Sequence, residues 1–129
     1  MENKTILIQG AMDIEIQALL EKIEEQEKIV ISDYEFYTGK IKNCNVIVSK
    51  TLIGTINATI ATTIGIEKFK PDMVINQGIA GAHRESIHTG DIIIGEKCCN
   101  INAYSMPSKN RGEGSNPFEW EPNKRAKEI

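Results

Sequence analysis

The sequence predicts an α/β protein in which helices flank a mixed β-sheet. Three observations carry this expectation. Two apolar runs of strand length, residues 5–9 and 73–76, each end in a glycine turn: Gly10-Ala11-Met12 after the first, Gly78-Ile79-Ala80-Gly81 after the second. Between them lie stretches with apolar residues at helical spacing. A hairpin-like pair of apolar segments stands between the two helical stretches and supplies antiparallel neighbours. Strands alternating with helices bury their apolar faces as layers on one sheet.

In chain order, residues 5–9 (Thr-Ile-Leu-Ile-Gln) form the first strand. Met12, Ile16, Leu19, Leu20 and Ile23 share one stripe of a helix running to about Glu27. Glu21, Glu24, Glu25 and Lys28 lie mostly on its solvated side. Residues 34–40 and 45–50 are two strands joined by Ile41-Lys42-Asn43-Cys44, and Leu52-Ile53-Gly54-Thr55 is a turn. Residues 56–69 are apolar at helical spacing through Ile56, Ile60, Thr63, Ile64 and Ile66. Their β-branched content does not favour a helix, but the length and the stop at Lys70-Pro71-Asp72 do. Residues 73–76 and 91–96 are further strands.

From Ile101 onward Pro, Gly, Ser and Asn become frequent, so residues 101–122 read as a long loop. A helix start follows from Pro122 to Ile129, too short to persist undocked. The order β-α-β-β-α-β-β, without a repeat or an interdomain linker, gives one α/β domain over residues 1–129. The hairpin interrupts the Rossmann rhythm and no G-x-G-x-x-G occurs, which disfavours a dinucleotide fold.

A chain of 129 residues can bury one core. Its net charge of −3, with acids and bases interspersed, gives no electrostatic footprint for nucleic acid or an anionic membrane. Aromatics at 5% also argue against a base-stacking surface. No apolar run approaches the roughly 20 residues needed to span a bilayer. The N-terminus lacks a basic segment followed by a long apolar one. Cys44, Cys98 and Cys99 form neither a disulfide framework nor a metal-ligand spacing. They read as core fillers or bystanders, and the expected compartment is the reducing cytoplasm.

Glu15 is the sharpest candidate for chemistry. It flanks the apolar stripe of the first helix beside a strand end, where shielding from water would raise its pKa towards general-base range. The plainer reading is an acid complementing the helix dipole, worth about 0.3–1 kcal/mol; for Asp13 this reading is kept. Gly10, Gly54, and Gly78 with Gly81 follow the expected strand ends, where a ligand can approach backbone amides. Three such junctions on one sheet edge point to a ligand crevice. His83, Arg84 and His88 lack an evident triad partner and read as exposed loop residues. Glu113, Glu119 and Glu121 read as solvated positions of the late loop.

Taken in order, these junctions resemble the 5'-methylthioadenosine/S-adenosylhomocysteine nucleosidases of the purine nucleoside phosphorylase superfamily. The matching stretches are Ile8-Gln-Gly-Ala-Met-Asp-Ile-Glu15, Tyr34-Glu-Phe-Tyr-Thr-Gly39, Ile53-Gly54 with Asn57-Ala58, Glu67-Lys-Phe-Lys-Pro-Asp72, Val74-Ile-Asn-Gln-Gly78 with Ala80-Gly81, and Gly90-Asp-Ile-Ile-Ile94. Gly-Ala-Met followed by a carboxylate three residues on is the most specific. The resemblance implies a phosphorylase/hydrolase-like fold, truncated here to its N-terminal portion, that hydrolyses the bond between adenine and a 5'-thio-substituted ribose.

By that resemblance Glu15 is the acid that handles the attacking water, and Met12 packs against the ribose and water region. Ile53 lies near the ribose, where a hydrolase closes off what a phosphorylase uses for phosphate. Gly78, Ile79 and Ala80 complete the substrate-binding set. No metal or organic cofactor is implied, the ligand is a small nucleoside, and a homodimer is usual. The purine-protonating aspartate and the glutamate that grips the ribose hydroxyls belong to a C-terminal half absent from this chain. Ile79 departs from the family's usual Ser or Thr, and the sequence leaves the pattern after Glu96. The alternatives are a purine or uridine nucleoside phosphorylase, for which Lys50 and Arg84 are the nearest cations, and a non-catalytic nucleoside-binding remnant.

Overall fold

In the computed structural model, which describes residues 4–82, 85–95, 104–105 and 121–122, the first strand made is an inner strand of the sheet. The chain divides into two units, Met1–His83 and Arg84–Ile129. The first contains β1 (Thr5–Gly10), α1 (Asp13–Leu20), β2 (Glu24–Ile31), β3 (Tyr34–Ile41), β4 (Cys44–Lys50), α2 (Thr55–Phe69) and β5 (Met73–Asn76). The strand order is β2-β3-β4-β1-β5. β1 runs parallel to both β4 and β5, while β2, β3 and β4 form an antiparallel meander. The mixed sheet expected from the sequence is therefore present, with its parallel half around β1.

Alternation along the strands divides the core between the two faces. Leu7 and Ile47 are paired in register and join Tyr34, Phe36 and Ala61 in one buried cluster with α2. Phe69 closes its end, its ring tilted 51° against Phe36 at 5.4 Å. Gly65 lets α2 sit close, since a Cβ there would meet the Leu7 side chain at 2.8 Å. Ile16, 1% exposed, anchors α1.

The second helix forms despite its β-branched residues. Thr59, Thr62 and Thr63 donate their hydroxyls to the carbonyls four residues earlier, at 2.8, 2.6 and 2.8 Å. It ends at Lys70 in the left-handed conformation, immediately before Pro71. Asp72 then ties the helix exit to the start of β1: Thr5 N–H donates to its carboxylate at 2.8 Å.

The first helix is shorter than the apolar stripe predicts. It stops at Leu20, and the segment expected to continue it to Glu27 becomes β2. Pairing with β3 overrides the helix propensity of the Glu-rich stretch. Ile29 and Ile31 pack against the core, and Lys28 and Lys40 form ion pairs with Glu35 and Glu25 at 2.6 and 2.9 Å. A register shift lies between Glu24 and Glu27. There the chain crosses Gly39, where a Cβ would meet the Glu24 carbonyl oxygen at 2.5 Å.

In the second unit, residues 91–95 are not a strand, contrary to expectation. No described strand pairs with them, so their backbone groups have no ladder to join. Ile92, Ile93 and Ile94 are 89, 67 and 90% exposed. β6 (Tyr104–Ser105) and β7 (Glu121–Pro122) pair antiparallel within the span that composition marks as a loop. The expected helix start from Pro122 to Ile129 lies outside the described residues after Pro122, as do His83, Arg84, Cys98, Cys99, Glu113 and Glu119.

Candidate functional site at the carboxyl ends of the parallel strands

The parallel strands β4, β1 and β5 end on one edge, and the glycine junctions stand there. Gly10 is the last residue of β1 and Gly78 follows β5. Gly54, with φ +101°, is the N-cap of α2. Thr51, buried directly after β4, donates its N–H to the Gly10 carbonyl at 2.9 Å and fastens two of these junctions together.

Glu15 occupies the third position of α1. Its carboxylate accepts from the backbone N–H of Ala11 at 2.6 Å and of Met12 at 3.0 Å. Those bonds belong to helix capping, as the plainer reading of an acid in a first turn requires. A third bond goes beyond it: the Ile79 N–H, 64 residues away, donates to the other carboxylate oxygen at 3.0 Å. The backbone opens to admit the group. A Cβ at Gly78 would lie 2.6 Å from Glu15 Oε1, and one at Gly10 would lie 3.0 Å from Glu15 Cβ and 2.8 Å from Ile16 Cγ2.

The electrostatics differ from the sequence expectation. Glu15 is half-buried, yet its pKa is lowered, not raised. The Ile79 amide is the largest cause; desolvation opposes it, and the Met12 and Ala11 amides add to the lowering. Three oriented N–H dipoles favour the anion more than burial penalises it.

The Glu15 carboxylate is thus bonded to the Met12 and Ile79 amides, and Gly78 leaves it room. Ile53 and Ala80 stand at the same strand ends, and no described hydrogen bond joins them to Glu15. Ile53 and Ile79 are 71 and 74% exposed. Asn57 holds the Ile53 loop, donating to the Ile53 carbonyl at 2.8 Å and accepting from Tyr34 Oη at 2.9 Å. His88 is exposed; its N–H donates to Asp91 at 2.8 Å, as expected of a loop residue. A groove of about 300 Å³ is lined by Thr5, Gly39, Asn45 and Phe69. It lies at the opposite strand ends, away from the carboxylate.

Two contributors, Gln77 and Thr51, escaped the sequence reading, and Lys50, weighed there only as a phosphorylase cation, has another role. Gln77 donates its side-chain amide to the Glu15 carbonyl at 2.6 Å. Lys50 pairs with Asp13 at 2.9 Å and with Glu35 at 3.2 Å, so Asp13 ties α1 to β4 in addition to facing the helix dipole. Thr51 carries the β4–β1 link described above. Only its placement immediately after a strand marked Gln77 in the sequence.

Comparison with known proteins bears on this edge. A family model described as the phosphorylase superfamily matches residues 5–127. A 5'-methylthioadenosine/S-adenosylhomocysteine nucleosidase of Geobacillus sp. (strain WCH70) is 45% identical over 89 residues, covering 69% of this chain and 38% of that protein. One from Staphylococcus aureus (strain JH9) is 43% identical over 87 residues, covering 67% of this chain and 38% of that protein. Among solved structures, the Neisseria meningitidis nucleosidase in complex with methylthio-immucillin-A superposes with a TM-score of 0.66 at 33% identity, over 68% of this chain and 38% of that one. The Colwellia psychrerythraea 34H nucleosidase in complex with adenine gives a TM-score of 0.68 at 32% identity, over 70% and 37%. The chain spans 38% of the length of these two curated relatives. With the family model covering nearly all of it and the sheet shared with solved members, this chain belongs to the phosphorylase superfamily.

Proposed function

We propose that this chain supplies the water-activating part of a nucleosidase that hydrolyses the N-glycosidic bond of 5'-methylthioadenosine or S-adenosylhomocysteine and releases adenine. The observation that carries the reading is the Glu15 carboxylate, held as an anion by three backbone amides at the ends of the parallel strands. In the reaction a water oxygen bonds to C1' as the bond from C1' to the adenine nitrogen breaks. Glu15 takes the water's proton, and its negative charge faces the oxocarbenium character at C1'. Met12, Ile53, Gly78, Ile79 and Ala80 form the wall around the ribose. Protonation of the departing purine is assigned to the part of the nucleosidase fold that this chain does not span. The 129 residues are read as the N-terminal portion of that fold, silent in catalysis by themselves. The nucleosidase needs no metal or organic cofactor in this reading.

The phosphorylase reading is weaker because its nearest described cation is committed. Lys50 is already paired with both Asp13 and Glu35. A homodimer is proposed on the exposed isoleucines Ile53, Ile56 and Ile60 around the start of α2, and cytoplasmic residence on the cysteine usage. The deciding experiment is adenine release from 5'-methylthioadenosine, with and without phosphate. It uses this chain and a protein in which the remaining part of the fold is joined to it. Adenine and unphosphorylated 5-methylthioribose formed independently of phosphate support the nucleosidase; a phosphate requirement supports the phosphorylase. Nucleoside binding without turnover in the joined protein supports the binding module.

A further inference from the structure

We propose that Gln77 is a positioning residue for Glu15, a clamp that holds the main chain of the first helical turn so that the carboxylate meets the Ile79 amide. The proposal rests on the reading of Glu15 as the base and adds to it a residue that touches neither water nor substrate. Gln77 directly follows β5, and its N–H donates to the Gln9 carbonyl at 2.9 Å, extending the β1–β5 pairing by one residue. Its backbone is therefore fixed by the sheet. From that base its half-buried side chain reaches across and donates Nε2–H to the Glu15 carbonyl oxygen at 2.6 Å. A carbonyl has two lone pairs, so this bond adds to the helical one rather than replacing it.

Two residues later the Ile79 N–H reaches the Glu15 carboxylate at 3.0 Å. Gly78 between them presents no Cβ to the space that Oε1 fills. One three-residue segment thus grips Glu15 twice, by its main chain and by its side chain. The main-chain grip matters because Oε1 sits at the end of a flexible side chain with water nearby. A slip of α1 along the sheet would lengthen the Ile79 bond and leave the Ala11 and Met12 bonds intact, since those belong to the same turn. Among the described residues no charged side chain contributes to the Glu15 pKa shift, and the Ile79 bond is the part of its described environment that depends on this docking. Nearby Asp13 is neutralised by Lys50.

The test is nuclear magnetic resonance on this chain, which reads the clamp without turnover. In the wild-type protein a scalar coupling across the hydrogen bond between Gln77 Nε2 and the Glu15 carbonyl carbon is expected. In Gln77→Met, which keeps the length and loses the donor, the Glu15 carboxyl titration midpoint rises by about half a pH unit as the Ile79 bond weakens. The Ile79 amide proton then loses its response to that titration. An unchanged Glu15 midpoint in folded Gln77→Met overturns the proposal. Absence of the coupling in the wild-type protein overturns it even if the variant does not fold. Inactivity of the joined nucleosidase would sink the reading of Glu15 as base and leave these resonances unaffected, so the two ideas fail separately.

Discussion

Glu15 and Glu35 are both held as anions, by opposite means. Glu35, on the antiparallel side of the sheet, is surrounded by cations and a phenol: Lys28 at 2.6 Å, Tyr37 Oη at 2.9 Å and Lys50 at 3.2 Å. These lower its pKa to about 2, with the Lys28 bond the largest cause. Glu15, on the parallel side, is lowered among the described residues by neutral backbone amides, against desolvation. The cluster around Glu35 cancels its charge. The amides around Glu15 orient the carboxylate, and no described cation pairs with its negative charge. A group of the second kind can stabilise a developing cation and accept a proton; a group of the first kind braces strands.

Breaking the Glu15 side has the largest expected effect. In the joined nucleosidase, Glu15→Gln is expected to lower adenine release by about 10²–10⁴-fold while the fold persists. Steady-state assays with circular dichroism check this, and near-wild-type turnover removes Glu15 from the mechanism. Gly10→Ala comes next, because its new Cβ meets buried Ile16 at 2.8 Å, a side chain with nowhere to retreat. Denaturant unfolding should show a loss of about 1–3 kcal/mol. Gly78→Ala separates position from stability. Its Cβ meets only the movable end of Glu15, so unfolding should change little while activity falls with loss of the Ile79 bond.

On the Glu35 side the expected change is in acid stability. Its folded pKa lies below the ordinary 4.5, so its contribution is complete above that value and disappears as pH falls towards 2. Glu35→Gln should cost on the order of 1 kcal/mol at neutral pH, discounted for solvent screening, with the difference from the wild type shrinking as pH falls to about 2. Unfolding measured across that range decides it; a constant difference at every pH contradicts the assignment. The smallest effect is that of salt. Raising it to about 1 M should move the Glu35 titration midpoint upward and leave that of Glu15 nearly in place, because the Debye length shortens to about 3 Å. Equal shifts would mean that side-chain charges, not amides, set the Glu15 environment.

The parallel half was largely legible in the sequence. β1 and β5 are short apolar runs that lead into glycine turns, and the second helix is closed by Lys70-Pro71-Asp72. β2 was not. Its first five residues, Glu24-Glu-Gln-Glu-Lys28, are helix formers exposed on an edge strand, and only pairing with β3 makes them extended. Charge on an edge strand also discourages pairing with other chains, a purpose that local propensity does not reveal. At the candidate site, the capping bonds of Glu15 follow from its place three residues after Met12. The sign of its pKa shift does not, because the deciding amide comes from Ile79, whose proximity only the sheet topology creates.

The inner position of β1 has a consequence for the order of folding. Its neighbours, β4 and β5, are made well after it, and both pairings are parallel and nonlocal. The β2-β3-β4 meander joins consecutive strands by short turns and can close early. β1 must wait to be enclosed, and pairings of such high sequence separation slow the search for the native state. The Ile79 amide, later still in the chain, reaches Glu15 only when β5 has docked. In refolding experiments the Glu15 carboxylate would therefore act as a clock for the last step, acquiring its native acidity after the antiparallel strands have formed.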